Sequence, residues 1–236
     1  MAVIDDTTWR QLGAGRLDRM AVKASEGASG GILIGWATEQ WSLIAQDTGQ
    51  FSISILLQNT RSGWKWILSG VYGPLVDTER EVLWAELSEI KANWNAPWCV
   101  MGDFNVTRFV EERNRGGTLS PAMMRFSEWL DQENLLDMPT PNVAFTWSNM
   151  REVPTLAKLD RVLICPDWEE AFPRCSVQGL PRITSDHTPL LLISSDASLK
   201  TPQFKYESWW SECEGVEEVV RACWMTRSDT CMVREA

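Results

Sequence analysis

Pro97-Trp98-Cys99-Val100-Met101-Gly102-Asp103-Phe104-Asn105 is the stretch on which the fold turns. Trp98 to Met101 is a short, wholly apolar run, the pattern of a strand buried on both faces, and it stops at a glycine followed by an acid. An aspartate and an asparagine two positions apart on an extended chain project to the same side. Such a pair can hold a water between a base and a hydrogen-bond donor. Glycine, aspartate and asparagine are also ordinary turn residues, so this element alone leaves a plain turn open.

Working outward, other elements take shape around it. Residues 30–36 (Gly-Gly-Ile-Leu-Ile-Gly-Trp) read as a strand after a glycine turn. Phe51, Ile53 and Ile55 alternate with small polar residues and share one sheet face. Residues 59–63 form a turn into a second strand at 64–72, which makes a hairpin. Asp77 to Trp94 reads as a helix, with Val82, Leu83, Leu87, Ile90 and Trp94 at helical spacing and Thr78 with Glu81 as a capping box. Ser120-Pro121 starts a second helix, with Met124, Trp129 and Leu130 as its apolar stripe. Strands are expected at 144–148, 158–164 and 189–193. This mixture predicts a layered α/β or α+β architecture.

Composition bounds the function. The chain has 236 residues, 44% apolar and 23% charged, which excludes a disordered segment. Its 22 bases against 32 acids give a net charge of −10, which argues against a general nucleic-acid coat but leaves room for a small basic cleft. No apolar run reaches the ~18 residues of a membrane span. The opening residues lack an apolar signal core, so an intracellular location is expected, without separating nucleus from cytoplasm. Cys99, Cys165, Cys175, Cys213, Cys223 and Cys231 contain no C-x-x-C pair and read as free thiols.

Two further elements could carry chemistry. Asp160 lies in Lys158-Leu159-Asp160-Arg161, inside a strand pattern that disfavours aspartate. A carboxylate there needs a partner, either an arginine or a histidine. His187, in Ser185-Asp186-His187-Thr188-Pro189, is the single histidine of the chain and precedes the last apolar strand. A lone histidine is more often packed than catalytic. The combined inventory of three carboxylates, an amide and one imidazole, without a serine or cysteine nucleophile motif, suits metal-assisted hydrolysis.

The ordered set Gly102-Asp103-Phe104-Asn105, Leu159-Asp160-Arg161 and Ser185-Asp186-His187 resembles the endonuclease/exonuclease/phosphatase superfamily. Residues 29–33, Val71-Tyr72-Gly73-Pro74, 97–105, Phe145-Thr146-Trp147-Ser148-Asn149 and 180–187 look like the endonuclease domain of plant LINE-type (non-LTR) retrotransposons. The resemblance runs from about residue 27 to residue 210. It implies a four-layer sandwich, two mixed β-sheets face to face with helices outside (the DNase I-like fold), incomplete at the N-terminus.

By the same resemblance, Asp103 activates or orients the attacking water, with Asn105 as its hydrogen-bonding neighbour. Asp186 sits at the divalent-metal site, and His187 contacts the scissile phosphate. Asp160 holds His187 in its productive tautomer, and Tyr72 lies near the phosphate. Phe145 and Trp147 fall on the DNA-binding lip. The implied cofactor is Mg²⁺ or Mn²⁺, and the implied partner is DNA, with RNA as the alternative. Relatives continue into a reverse transcriptase domain, which has no counterpart here. Arg108, Arg113, Arg115, Arg161, Arg174 and Arg182 lie near these motifs and could offset the negative charge locally.

One departure is plain. The family opens with a strand bearing an asparagine and a second strand bearing a metal-binding glutamate. This chain has no asparagine before Asn59, and before Glu79 its glutamates are Glu26 and Glu39. Glu26 reads as a loop residue and is not assigned the ligand role. The expected organisation is a divergent segment 1–26, a nuclease-like domain 27–195 and an acidic, linker-like tail 196–236, with a helix over 216–224. Weakened metal binding, unpaired sheet edges and an alternative identity as a non-catalytic relative follow from the same gap.

Overall fold

A computed structural model describes residues 16–25, 30–194, 215, 216, 218 and 221. The chain divides into two compact units, residues 1–197 and 198–236. In the second unit the described residues 216, 218 and 221 are helical; the rest of the expected 216–224 helix, like Glu26, lies outside the described residues.

The first unit is built on a six-stranded mixed sheet. Its strands are β3 (Trp41–Thr48), β4 (Ser52–Asn59), β5 (Lys65–Tyr72), β6 (Trp98–Asp103), β7 (Leu136–Asp137) and β10 (Asp160–Ile164), in the order β3-β4-β5-β6-β10-β7. β5 and β6 run parallel and the other pairs antiparallel. The β4–β5 hairpin turns where expected: the Asn59 side chain accepts from the backbone N–H of Arg61 and Ser62, and Gly63 has φ +72°.

Helices α1 (Asp77–Asn93), α2 (Pro121–Gln132) and α3 (Pro166–Ala171) share the larger apolar core with β5, β6 and β10. Leu83, Leu87 and Ile90 of α1 are buried, as their spacing predicts. Val82 is exposed, and Trp84, absent from the predicted stripe, is buried instead. Trp84 stacks on Trp129 at 4.6 Å and on Phe126 at 5.2 Å, so the α1–α2 contact is aromatic. The expected Thr78–Glu81 capping box does not form: the N-cap is Val76 and has no side-chain cap. Asp77 is instead an ion-pair partner of Arg80 and Arg125. Ser120 caps α2 as predicted, accepting from Met123 N–H at 3.3 Å. In α2 the buried methionine is Met123, and Met124 is exposed.

Two short antiparallel hairpins form the remaining layer. β1 (Arg19–Lys23) pairs with β2 (Ile32–Trp36), and β11 (Ser176–Gly179) with β12 (Leu190–Ile193). β1 was not legible in the sequence. Ile34, Trp36 and Ala21 form a second core with Ile53, Ile55 and Leu57 of β4. β8 (Trp147–Ser148) and β9 (Leu156–Ala157) make a third small ladder beside β10. The fold is thus the layered α/β type expected, with sheets in contact, α1 and α2 on the outer side of the large one, and α3 packing Trp168 on Trp66 of its inner face. Among the described residues no helix is long and apolar enough to cross a membrane.

Candidate active site

β6 and β10 are antiparallel neighbours whose register sets Asp103 opposite Asp160. Tyr72 stands beside Asp103 across the parallel β5–β6 pair. Three strand ends therefore share one rim. The close approach of β5 and β6 depends on Gly102: its φ of +142° is foreign to L side chains, and a Cβ there would lie 2.1 Å from the Val71 carbonyl oxygen.

The chain returns to this rim at His187, which forms an isolated bridge with Trp147. Thr188 N–H donates to the Thr146 carbonyl at 2.7 Å, and Ser148 N–H to the Asp186 carbonyl at 3.0 Å. Thr146 is fully buried, and its Oγ1 accepts from the N–H of both Leu159 and Asp160 at 2.9 Å, tying this segment to the start of β10. The result is a direct contact: His187 Nδ1 lies 2.8 Å from Asp160 Oδ2, and His187 Nε2 lies 3.9 Å from Asp103 Oδ2. Of the two partners the sequence left open for Asp160, the geometry selects the histidine. The Asp186 carboxylate accepts from the Trp147 indole N–H at 3.0 Å, and Arg182 donates to the Asp186 carbonyl at 3.0 Å.

Asn105 and Tyr72 are placed differently from the rest. Asn105 has φ +51°, and its backbone N–H donates to Asp103 Oδ1 at 2.8 Å. Its side-chain amide donates to the Gly73 carbonyl at 2.7 Å, bracing the β5 and β6 ends against each other. The ring of Tyr72 packs beneath Gly30 and lines a separate 160 Å³ cavity with Lys23, Gln50 and Glu79. Both stand at the rim, but neither side chain touches the Asp103–His187–Asp160 group.

The electrostatics follow from burial. Asp103 is 8% exposed, and desolvation pushes its carboxyl up to about 6, against the opposing Asn105 N–H. The hydrogen bond from His187 to Asp160 raises the imidazole above its ordinary 6.5, with desolvation opposing and the charges of Asp160, Asp103 and Asp186 reinforcing it. A histidine raised in the fold contributes stability in full below pH 6.5 and loses it as pH rises through the folded value. Because it is the chain's single histidine, NMR reads it without assignment. Its ring proton titrates with a midpoint above 6.5, and Asp160→Asn brings the midpoint down; an unchanged midpoint would show that the contact is not formed in solution.

Arg161, beside Asp160, does not face the rim. Its side chain is fully buried, paired with Asp137 and Glu112 and seated 5.4 Å over the Phe126 ring. Arg113 and Arg115 are used within loops, donating to Thr107 Oγ1 at 2.8 Å and the Val153 carbonyl at 3.0 Å, and Arg108 pairs with Asp131 at 3.5 Å. Arg182 is the member of that set seen bonded to a site residue. Sequence reading missed Thr146, and it placed Trp147 at the DNA-binding lip without the indole N–H that orients Asp186. The only signal for either was its place in the Phe145–Asn149 motif.

Among the described residues no three acidic, histidine or cysteine side chains cluster as a metal cage. Glu39 stands in the turn before β3, lining the cavity at the opposite end of the sheet. The exposed carboxylate among the site residues is Asp186, oriented by Trp147. That suits the mode in which Mg²⁺ keeps most of its waters and takes one or two carboxylates plus substrate phosphate oxygens.

Comparison with known proteins gives the family and the fold. The sequence profile of the endonuclease/exonuclease/phosphatase family matches residues 6–187. The chain belongs to this family. Enzymes of the family commonly use divalent metal ions. No curated protein matches the chain by sequence. Solved structures with the same fold include the endonuclease domain of TRAS1, a telomere-specific non-LTR retrotransposon (TM-score 0.60, 13% identity, 77% of this chain and 81% of that one). A beta toxin from Staphylococcus aureus (TM-score 0.56, 10% identity, 80% and 82%) is also similar. So is a family member from Bacteroides thetaiotaomicron (TM-score 0.53, 12% identity, 78% and 77%). At these identities the likeness is one of fold.

Proposed function

We propose that this family member is a Mg²⁺-dependent phosphodiester hydrolase of endonuclease type, acting on DNA and derived from a plant LINE-type retrotransposon, with turnover reduced by its short metal-ligand set. The observation that carries the reading is the Asp160–His187 contact at 2.8 Å with Asp103 3.9 Å from the other imidazole nitrogen. Asp160 keeps a proton on Nδ1 and favours the charged ring, leaving Nε2 to donate to a phosphate oxygen. Asp103 is the candidate base for the attacking water: a carboxyl held near 6 is ionised at neutral pH yet more basic than an ordinary aspartate. Asn105 fixes the Asp103 carboxylate by its backbone N–H. Tyr72, placed near the phosphate only by the family resemblance, would have to swing its ring out from beneath Gly30 to reach it. A divalent ion held by Asp186 would supply positive charge to the developing pentacoordinate phosphate.

In this proposal residues 27–195 form the hydrolase body, 1–26 are a divergent segment and 196–236 are a linker-like tail. Purified protein nicks supercoiled plasmid in Mg²⁺ and loses the activity to chelator. His187→Ala lowers the rate by at least about a hundredfold, in the range removal of a proton donor costs. Asp186→Ala raises the metal concentration needed. Activity that survives both substitutions would sink the proposal. The short donor set among the described residues favours one alternative, a relative that binds nucleic acid without cutting it. Plasmid retained uncut, with affinity falling steeply in salt, selects that reading.

A further inference from the structure

Among the described residues the layer facing the large sheet is interrupted. β2 packs over β5, with Ile32 and Ile34 against Gly70, and β12 packs over β10. Between β5 and β10 in the large sheet stands β6, and no described strand covers it. Neighbouring strands lie ~4.8 Å apart, so walls over β5 and β10 are separated by about two spacings, the room for one further strand. The gap appears as a cleft of 510 Å³ lined by β2, Gly70, Met101, Val162 and Leu190, opening at His187. It continues, through the shared Leu68, Met101 and Leu190, into a 950 Å³ cavity at the opposite end of the sheet.

Both walls are strand edges without a ladder partner among the described residues. The Leu180 N–H donates to the Pro189 carbonyl at 2.8 Å. In an antiparallel ladder the bonds alternate, so Leu191 and Ile193 exchange with β11 while the backbone groups of Leu190 and Leu192 point into the cleft. Ile32 begins β2 at the rim, and β12 begins three residues after His187; both strands run away from the site. A single inserted strand can therefore be antiparallel to both. Its alternate side chains would meet an apolar floor of Leu68, Met101 and Val162. Its C-terminal end would arrive at the rim beside Asp103 and Asp160. A second copy of this chain carries −10 itself and is a poor match to that acidic rim.

We infer that the cleft between β2 and β12 is a strand-docking site for a partner polypeptide: an extended segment with alternating apolar side chains and a basic C-terminal end, joining the two hairpins into one continuous sheet. The inference does not depend on the hydrolase reading, since its test reads backbone protection rather than activity. The full chain is titrated with a synthetic peptide of about nine residues alternating isoleucine or valine with lysine or threonine and ending in arginine. A permuted peptide of equal composition, its apolar residues contiguous, is the comparison. Amide exchange at Leu190, Leu192 and those residues of Ile32–Trp36 whose N–H groups do not bond β1 is expected to slow at least about tenfold with the alternating peptide and not with the permuted one. Met101→Trp, which fills the floor, weakens binding at least about tenfold without removing the cooperative unfolding transition. Equal protection by both peptides, binding without protection of β2 and β12, no binding at about millimolar peptide, or protection that arises from self-association would each overturn the inference.

Discussion

Arg161→Ala lowers stability by about 3–5 kcal/mol at neutral pH, the cost of breaking a buried ion pair by removing one partner. The guanidinium is fully buried between Glu112 and Asp137, which are themselves 11% and 9% exposed. Without it Lys158, 3.5 Å from Asp137, still serves one carboxylate. Glu112 keeps only the backbone N–H groups of Arg108 and Phe109. Burial raises the Glu112 carboxyl, but Arg161 and those N–H groups outweigh it and hold the group below its ordinary 4.5. A lowered carboxylate contributes stability above its unfolded pKa and loses it as pH falls through the folded one. The deficit of the variant therefore shrinks below pH ~4.5, where Glu112 becomes neutral in the variant first. Denaturant melts at pH 7 and pH 4 measure both values. An equal deficit at the two pH values would show that packing over Phe126, not charge, sets the cost.

Asp103→Asn moves the other way: it stabilises the fold while abolishing any hydrolysis. A carboxyl raised in the fold contributes stability below its unfolded pKa of 3.8 and loses it as pH rises through about 6. Over that interval the native protein gives up on the order of 3 kcal/mol that the amide variant keeps. The Asn105 N–H still finds an oxygen to donate to in the variant, so the turn is retained. The melting temperatures of the two proteins should coincide near pH 3.5 and separate by pH 7, with the variant higher. A variant that melts lower at pH 7 would mean that the Asp103 charge is stabilised by its surroundings and is not the strained base proposed for the chemistry.

The sequence carried the site further than it carried the frame. Asp103, Asp160 and His187 were legible because each interrupts an apolar strand end, where a polar residue needs a local reason. Register then did the rest, since β6 and β10 pair antiparallel with their ends aligned. Asn105 was legible as a member of the motif but not as a brace to Gly73, because the direction of an amide depends on a carbonyl 32 residues away. Thr78 and Glu81 satisfied the capping pattern, yet Asp77 is committed to Arg80 and Arg125, and tertiary charge pairing displaced the local rule. β1 showed no alternation, because Arg19–Lys23 gains its strand form from pairing with β2 and from packing of Ala21 on β4. Trp84 escaped the apolar stripe of α1 because an indole can reach across to Phe126 and Trp129 from a position off the ideal face.

The glycine preceding Asp103 has a consequence for how this protein can drift. No replacement at position 102 is small enough to avoid the Val71 carbonyl, and none shares its backbone angle. A saturation library selected only for folding should therefore show an empty column at 102, flanked by tolerance for other large apolar residues at Met101. The lesion is local: it wedges apart the two parallel strands whose ends hold Tyr72 and the proposed base. Lineages that lose the chemistry could vary Asp103 freely, yet they would keep the residue before it.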